Sequence, residues 1–360
     1  MAVSPNYLVV NGVLHTTQAP PVSAFLETTT GAYTTSRTHS NAKCLLFWVR
    51  HLERLAESAA LLCESKPESF GSGFMRTHPS LTDVSTLVCD SMRVGFSHAL
   101  KERGDNEELA VTALVCGDAD GVSGVGVCLH IGVYVPMVFG GVGARLAVVG
   151  HGRELPMAKS SEWVRCRKHL EKLRPPSVTE ILLSNDGDRI LEGSVTNFFV
   201  ISRRAVKKFT GEFTSDDESR NSFEIQTAPL SDGILPGIIR QIVIEICARR
   251  NIPFREVAPS WSDRELWQEA FVTKTVGNQP SKYALFADSL RILQHVELIQ
   301  SPTSWDDLHT KTWNEVSWVE KKLEGPGTIT LEIQREIMKR ASIEGYPLPT
   351  NVEVVGLMVE

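Results

Sequence analysis

The chain has 360 residues, 42% of them hydrophobic and 22% charged, which is a globular composition with length enough for two domains and a substantial core. A net charge of −6 and an isoelectric point near 6.0 argue against a field suited to nucleic acid or an anionic membrane surface. The longest apolar stretches are broken by Gly, Pro or His and alternate as strands do, so no membrane span is expected.

In chain order, residues 6–10 read as a strand closed by the turn Asn11-Gly12. "GAYTTSR" (31–37) and "CLLFWV" (44–49) have strand composition. Residues 50–63 read as a helix, with Leu52, Leu55, Ala59 and Leu62 on one face. A polar stretch, 64–82, leads to a second helical region over about 83–103, then to the strands "ELAVTALVCG" and "GVGVCLHIGVYV". Pro136 and the glycines that follow it interrupt regular pairing, so 138–144 is expected to link a first domain, 1–137, to a second, 145–360.

Beyond the linker, "RLAVVG", "EILLSND" and "ILEGSVTNFFVIS" read as strands, with a tight turn at Asp186-Gly187. The Ser-rich, charged segment 203–224 is expected to be an exposed loop. Residues 235–251 read as a helix burying Ile238, Ile239, Ile242, Val243, Ile246 and Cys247. "IPFREVA" reads as a strand, and "SDRELWQEA" as a helix capped by Ser262.

Seven cysteines, odd in number and widely spaced without a CxxC, point to reduced thiols rather than a disulfide framework or a zinc site. "MAVSPNYLVVNG" has no basic region followed by an apolar one, so a cytoplasmic location is expected. HExxH, P-loop and GxSxG motifs are absent, and "GGVGARL" is only a partial glycine fingerprint.

One residue breaks the pattern. Glu192 sits in "RILEGSVTNFFV" among residues a sheet core favours, and a carboxylate buried there needs a partner. Either it turns to solvent after "SNDGDR" or it meets a buried cation.

"EGSVTNFF", followed by "IQT" and "LPGIIR", resembles the signature of the class IV, fold-type IV pyridoxal 5'-phosphate (PLP) enzymes. That family includes branched-chain and D-amino acid aminotransferases and aminodeoxychorismate lyase. The matching positions include Glu192, Ser194, Asn197, Phe198, Phe199, Thr227, Gly237, Ile238 and Arg240, and the spacer after Phe199 is longer than the family pattern. "VVNG", "FWVRHLERLAESA" and "GPGTITLEI" extend the likeness over nearly the whole chain. The resemblance implies a mixed α/β (α+β) fold, with a small N-terminal α/β domain, a larger domain with a barrel-like sheet, and the cofactor between them. It also implies a homodimer.

By the same resemblance Glu192 contacts the pyridine nitrogen, so that the buried cation is the pyridinium, and Asn197 belongs to the cofactor site. A lysine is needed to hold PLP as a Schiff base, and burial helps its amine shed its charge. Lys159 lies 33 positions before Glu192, which resembles the family spacing, whereas Lys168 and Lys172 sit among arginines and read as solvated. Where relatives carry an asparagine and a tyrosine just after the lysine, this chain has Glu162 and Trp163. The phosphate is expected at a helix N-terminus, on the amides of Ile238 and Ile239 with Gly237 allowing close approach. Arg54 in "HLERL" matches the family's phosphate arginine, although it lies off the Leu52/Leu55/Ala59 stripe and a solvated role fits the same pattern. A further phosphate donor is Thr273 or, if 274–288 is an extra segment, Ser289.

Alternation sends Tyr33, Thr35 and Arg37 to one face of their strand, the substrate side by resemblance. The expected activity is an aminotransferase working on a small amino acid and a 2-oxo acid. A lyase of the aminodeoxychorismate type, with Thr35 assisting, and a PLP-binding relative without turnover are the alternatives.

Overall fold

The structure, a computed structural model, describes residues 6–67, 80–105, 107–117, 125–134, 142–204, 222–273, 292–306 and 308–348. The segments 205–221 and 274–291, and with them most of the expected loop and the whole possible insertion, lie outside the described residues, as do 135–141, which take in 138–141 of the expected linker.

The first sheet holds β1 (Asn6–Val10), β3 (Ala32–His39), β5 (Glu108–Gly117) and β6 (Val125–Tyr134), expected from the sequence, together with β2 (Val13–Thr16), which was not, and a short β4 (Cys44–Leu45). One face of β5 and β6, carrying Val111, Ala113, Val115, Leu129 and Ile131, packs on the buried sides of α2 (Trp48–Ser65) and α3 (Leu81–Glu102). A short α1 (Val22–Thr28) precedes β3 and helps cover the other face through Phe25 and Leu26. Ser80 caps α3 reciprocally with Asp83, the Ser-x-x-acid arrangement that fixes a helix start.

The stretch 44–49 departs from its reading as one strand. Only Cys44–Leu45 pairs, because Phe47 takes a left-handed φ of 50° and Trp48 opens α2. Leu46 and Phe47 then insert into the core of the second half, beside Ile238, Ile242 and Ile333. Burial of two large side chains there outweighs the gain from a longer edge strand.

The second sheet holds β7 (Ala144–Gly150), β8 (Glu180–Ser184), β9 (Ile190–Gly193), β10 (Asn197–Arg203), β11 (Phe223–Thr227), β12 (Phe254–Glu256), β13 (Trp267–Thr273), β14 (Leu293–Pro302) and β15 (Trp318–Lys322). Between β7 and β8 run α4 (Glu162–Cys166) and α5 (Lys168–Glu171), while α6 (Ile238–Arg250) and α7 (Thr328–Ile343) pack outside. The strand order is β12-β11-β10-β13-β14-β7-β8-β9, with β15 on β14. β9 and β10 are consecutive in the chain yet lie at different ends of that path, so the sheet curls into a half-barrel. The final short strand β16 (Tyr346–Pro347) returns to pair with β4 in the first sheet.

Two further readings are corrected. "ILEGSVTNFFV" is two strands, broken at Ser194–Thr196, where the Gly193 amide turns back to the Thr196 carbonyl at 2.9 Å. "SDRELWQEA" is no capped helix: a 3-10 turn spans Trp261–Leu266, and Trp267 begins β13. The Ser262 hydroxyl donates to Asp188 instead of capping, and Trp267, Ala270 and Phe271 are drawn into the sheet core.

Candidate active site

The break between β9 and β10 sets the position of Glu192. Its residue is 1% exposed, and its Oε2 accepts from the Leu235 amide at 3.1 Å and from Asn197 Nδ2 at 3.3 Å. Asn197 Nδ2 also donates to the Leu235 carbonyl at 3.0 Å, tying β10 to the loop that enters α6. The other oxygen, Oε1, lies 2.8 Å from Arg153 Nε, and the Arg153 side chain is itself only 4% exposed. Among the described residues neither atom of that contact meets hydrogen-bond geometry, so charge contributes most of the pairing. Burial pushes the Glu192 carboxyl up, against the opposing pull of Arg153, the Leu235 amide and Lys159.

Lys159 lies in the loop between β7 and α4, hooked onto the first sheet. The Tyr33 amide donates to the Lys159 carbonyl at 2.9 Å, and the Lys159 amide donates to Ser58 Oγ on α2 at 3.1 Å. Its Nζ sits 4.7 Å from the centre of the Tyr33 ring. Burial of the amine, then the charges of Arg54, Arg153 and Arg167, lower its pKa well below the lysine range; Glu192 pulls the other way. Lys168 and Lys172 are exposed, and Lys168 pairs with Glu27 at the surface.

Arg54 is buried. Its Nη2 donates to Thr34 Oγ1 at 2.9 Å, its Nε has no partner, and burial brings its pKa down to about 10. With Ser58 one turn later it forms a second buried face of α2, directed at the loop carrying Lys159. Ile238 and Ile239 open α6 after the N-cap Gly237, and the free amides of a helix start suit an anion. A Cβ on Gly237 would fall 1.9 Å from Asn197 Oδ1, so only glycine leaves that approach open. Thr273 faces Asn197 across β10 and β13; its hydroxyl is buried without a partner among the described residues, as is that of Thr196. Ser289, the competing donor, lies outside the described residues.

On β3 the face of Tyr33 also carries Thr35 and Arg37, opposite Thr112 and Ala110 of β5. Thr35 Oγ1 is 3.0 Å from Thr112 Oγ1, and Arg37 is 7% exposed. Trp163 is committed elsewhere: its Nε1 donates to the Ser194 carbonyl at 2.7 Å, and the Arg153 guanidinium lies 5.0 Å over its ring.

Sequence reasoning missed Arg153, Thr34 and Thr196. Arg153 stands next to Glu154 in "GHGRELPMAK", with no motif spacing to mark it. Thr34 read as an ordinary strand threonine, and Thr196 as filler inside a motif.

The family profile for class IV amino-transferases matches residues 139–279. No curated protein matches the chain by sequence. Among solved structures, a branched-chain aminotransferase from Thermoproteus uzoniensis, solved with norvaline, is 18% identical over 94% of this chain and 96% of its own, with a TM-score of 0.55. The PLP form of a branched-chain amino acid aminotransferase from Thermobaculum terrenum is 15% identical over 95% and 96%, with a TM-score of 0.58. A candidate 4-amino-4-deoxychorismate lyase from Legionella pneumophila is 16% identical over 86% and 91%, with a TM-score of 0.53. At such identities the likeness carries the fold. Residues 139–279, which hold both Lys159 and Glu192, match the class IV amino-transferase profile, and the chain around them has the fold of these enzymes.

Proposed function

We propose that this chain is a PLP-dependent aminotransferase acting on a small amino acid and a 2-oxo acid, with Lys159 as its cofactor-anchoring amine. One observation carries the reading. The Glu192 carboxylate, buried with an oxygen that has no hydrogen-bond partner among the described residues, and the Lys159 amine, packed on the Tyr33 ring at 4.7 Å beside Arg54, Arg153 and Arg167, act on each other across one site. The residues fit the cofactor. Glu192 Oε1 is an acceptor without a donor, suited to a protonated ring nitrogen; Arg54, Thr273 and the amides of Ile238 and Ile239 suit a phosphate.

Bound there, the cofactor would supply an electron sink for breaking the substrate's Cα–H bond. The other roles fall to the chain. Glu192 and Asn197, locked to Leu235, hold a negative charge in place. Lys159 Nζ, whose charge is disfavoured first by burial and then by the nearby guanidinium groups, takes the Cα proton and returns it. Tyr33 packs against that amine, while Thr35 and Arg37 extend the same face as the substrate wall. Thr35 keeps the lyase reading alive, since its half-buried hydroxyl shares the face of Tyr33.

The division 1–137 and 145–360 belongs to the same reading, supported by the change of sheet between β6 and β7. So do the homodimer and the cytoplasmic location. Among the described residues no helix is long and apolar enough to cross a membrane.

The test is spectroscopic. The purified chain with PLP should show a near-ultraviolet band that Lys159→Ala abolishes with the fold kept. Addition of D-alanine or leucine should convert it to the amine form of the cofactor, and 2-oxoglutarate should restore it. Pyruvate release from aminodeoxychorismate would select the lyase. Silence towards every amine would sink both.

A further inference from the structure

Thr34 sits on the opposite face of β3 from Tyr33 and Thr35, towards α2. Its hydroxyl lies at the centre of a three-residue chain: Arg54 Nη2 is 2.9 Å away and His51 Nδ1 is 2.7 Å away. All three groups are buried, with Thr34 and His51 fully enclosed and Arg54 6% exposed. A guanidinium only donates, so Thr34 Oγ1 must accept from Arg54, and its single proton is left for His51 Nδ1. The two acceptor sites of the hydroxyl also let it take a proton from Nδ1, and in either tautomer the His51 ring is neutral. Burial and the cations Arg54 and Lys159 favour that neutral form. A protonated His51 would offer Thr34 a second donor and place another positive charge against Arg54.

We propose that Thr34 and His51 are positioning residues for Arg54, fixing one arm of its guanidinium so that the rest of the fork is held for an anionic group. This rests on the reading of Arg54 as a phosphate-binding cation under the proposed function. The geometry favours a directed role over plain filling. Arg54 has no carboxylate partner among the described residues, and Nη2 is anchored while its Nε stays unpaired. Arginine loses much rotamer freedom on burial, so an anchor set before the ligand arrives removes part of the ordering cost of binding. His51 and Arg54 lie three residues apart on α2, so a single helix turn presents both to one strand residue.

The experiment compares two ligands of the apo protein, PLP and pyridoxal, which share ring and aldehyde and differ in the phosphate. The readout is the ratio of their dissociation constants, with the melting temperature recorded alongside. Thr34→Val should weaken PLP about tenfold, the equivalent of one hydrogen bond to a charged group, and leave pyridoxal unchanged. Thr34→Ser should restore the ratio. On the helix side His51→Leu should repeat the loss, and His51→Asn, whose amide oxygen can stand near Nδ1, should recover most of it. The proposal is overturned if Thr34→Val or His51→Leu weakens both ligands equally, the mark of a structural role, or leaves the ratio at the wild-type value. A wild-type chain that binds PLP no better than pyridoxal would instead remove the cofactor reading on which the proposal stands. That outcome is visible before any variant is made.

Discussion

Glu192→Gln isolates the cost of the charge at the centre of the site. Glutamine keeps the shape and can still accept from the Leu235 amide, now 3.1 Å from Oε2. What it removes is the counter-charge 2.8 Å from Arg153 Nε, whose side chain is 4% exposed. Arg153 would retain the Ser194 carbonyl, 3.1 Å from its Nη2, and the Trp163 ring, and would face Lys159 without a counter-charge. Breaking one partner out of a buried pair costs about 3–5 kcal/mol, because the remaining charge cannot return to water. Urea denaturation of the apo protein should show a loss of that size. Arg153→Met should cost about as much, while Arg153→Met with Glu192→Leu should come within about 1–2 kcal/mol of wild type, since a buried pair exchanged whole for apolar groups is often near neutral. A loss for Glu192→Gln under about 1 kcal/mol, the range of solvent-exposed pairs, would falsify the buried-pair account.

Three other outcomes follow from the same geometry. Lys159 is depressed in the fold, so the folded chain binds fewer protons than the unfolded chain below the ordinary lysine range; its penalty grows as pH falls and vanishes above about pH 10.4. Lys159→Met should therefore stabilise the apo protein at pH 7, and by less at pH 10, in paired denaturation curves. Thr273→Val removes a buried hydroxyl without a partner, so apo stability should hold or rise by about 1 kcal/mol while PLP affinity falls, a split that calorimetry with titration would reveal. Gly237→Ala drives a methyl to within 1.9 Å of Asn197 Oδ1 and should weaken PLP binding about tenfold by equilibrium titration, with no backbone strain because φ is −71°.

Periodicity and motif spacing are the features that a linear chain can display before it folds. Alternation located β3, β5 and β6, since a half-buried strand must repeat its side chains every second residue. The Leu52/Leu55/Ala59/Leu62 stripe located α2, and "EGSVTNFF" with "LPGIIR" singled out Glu192, Asn197 and the start of α6. Which polar groups those elements bring together was set by the packing of the two sheets. It broke one apparent strand at Ser194–Thr196, turning Glu192 inward, and made Trp267 a strand residue because the sheet core offered burial there. It gave α2 a second buried face, on which Arg54 meets Thr34, and it placed Arg153 against Glu192. A single apolar stripe reports one packed face. Polar contacts between distant segments leave no period in the chain, and their partners are fixed only when the sheets close around them.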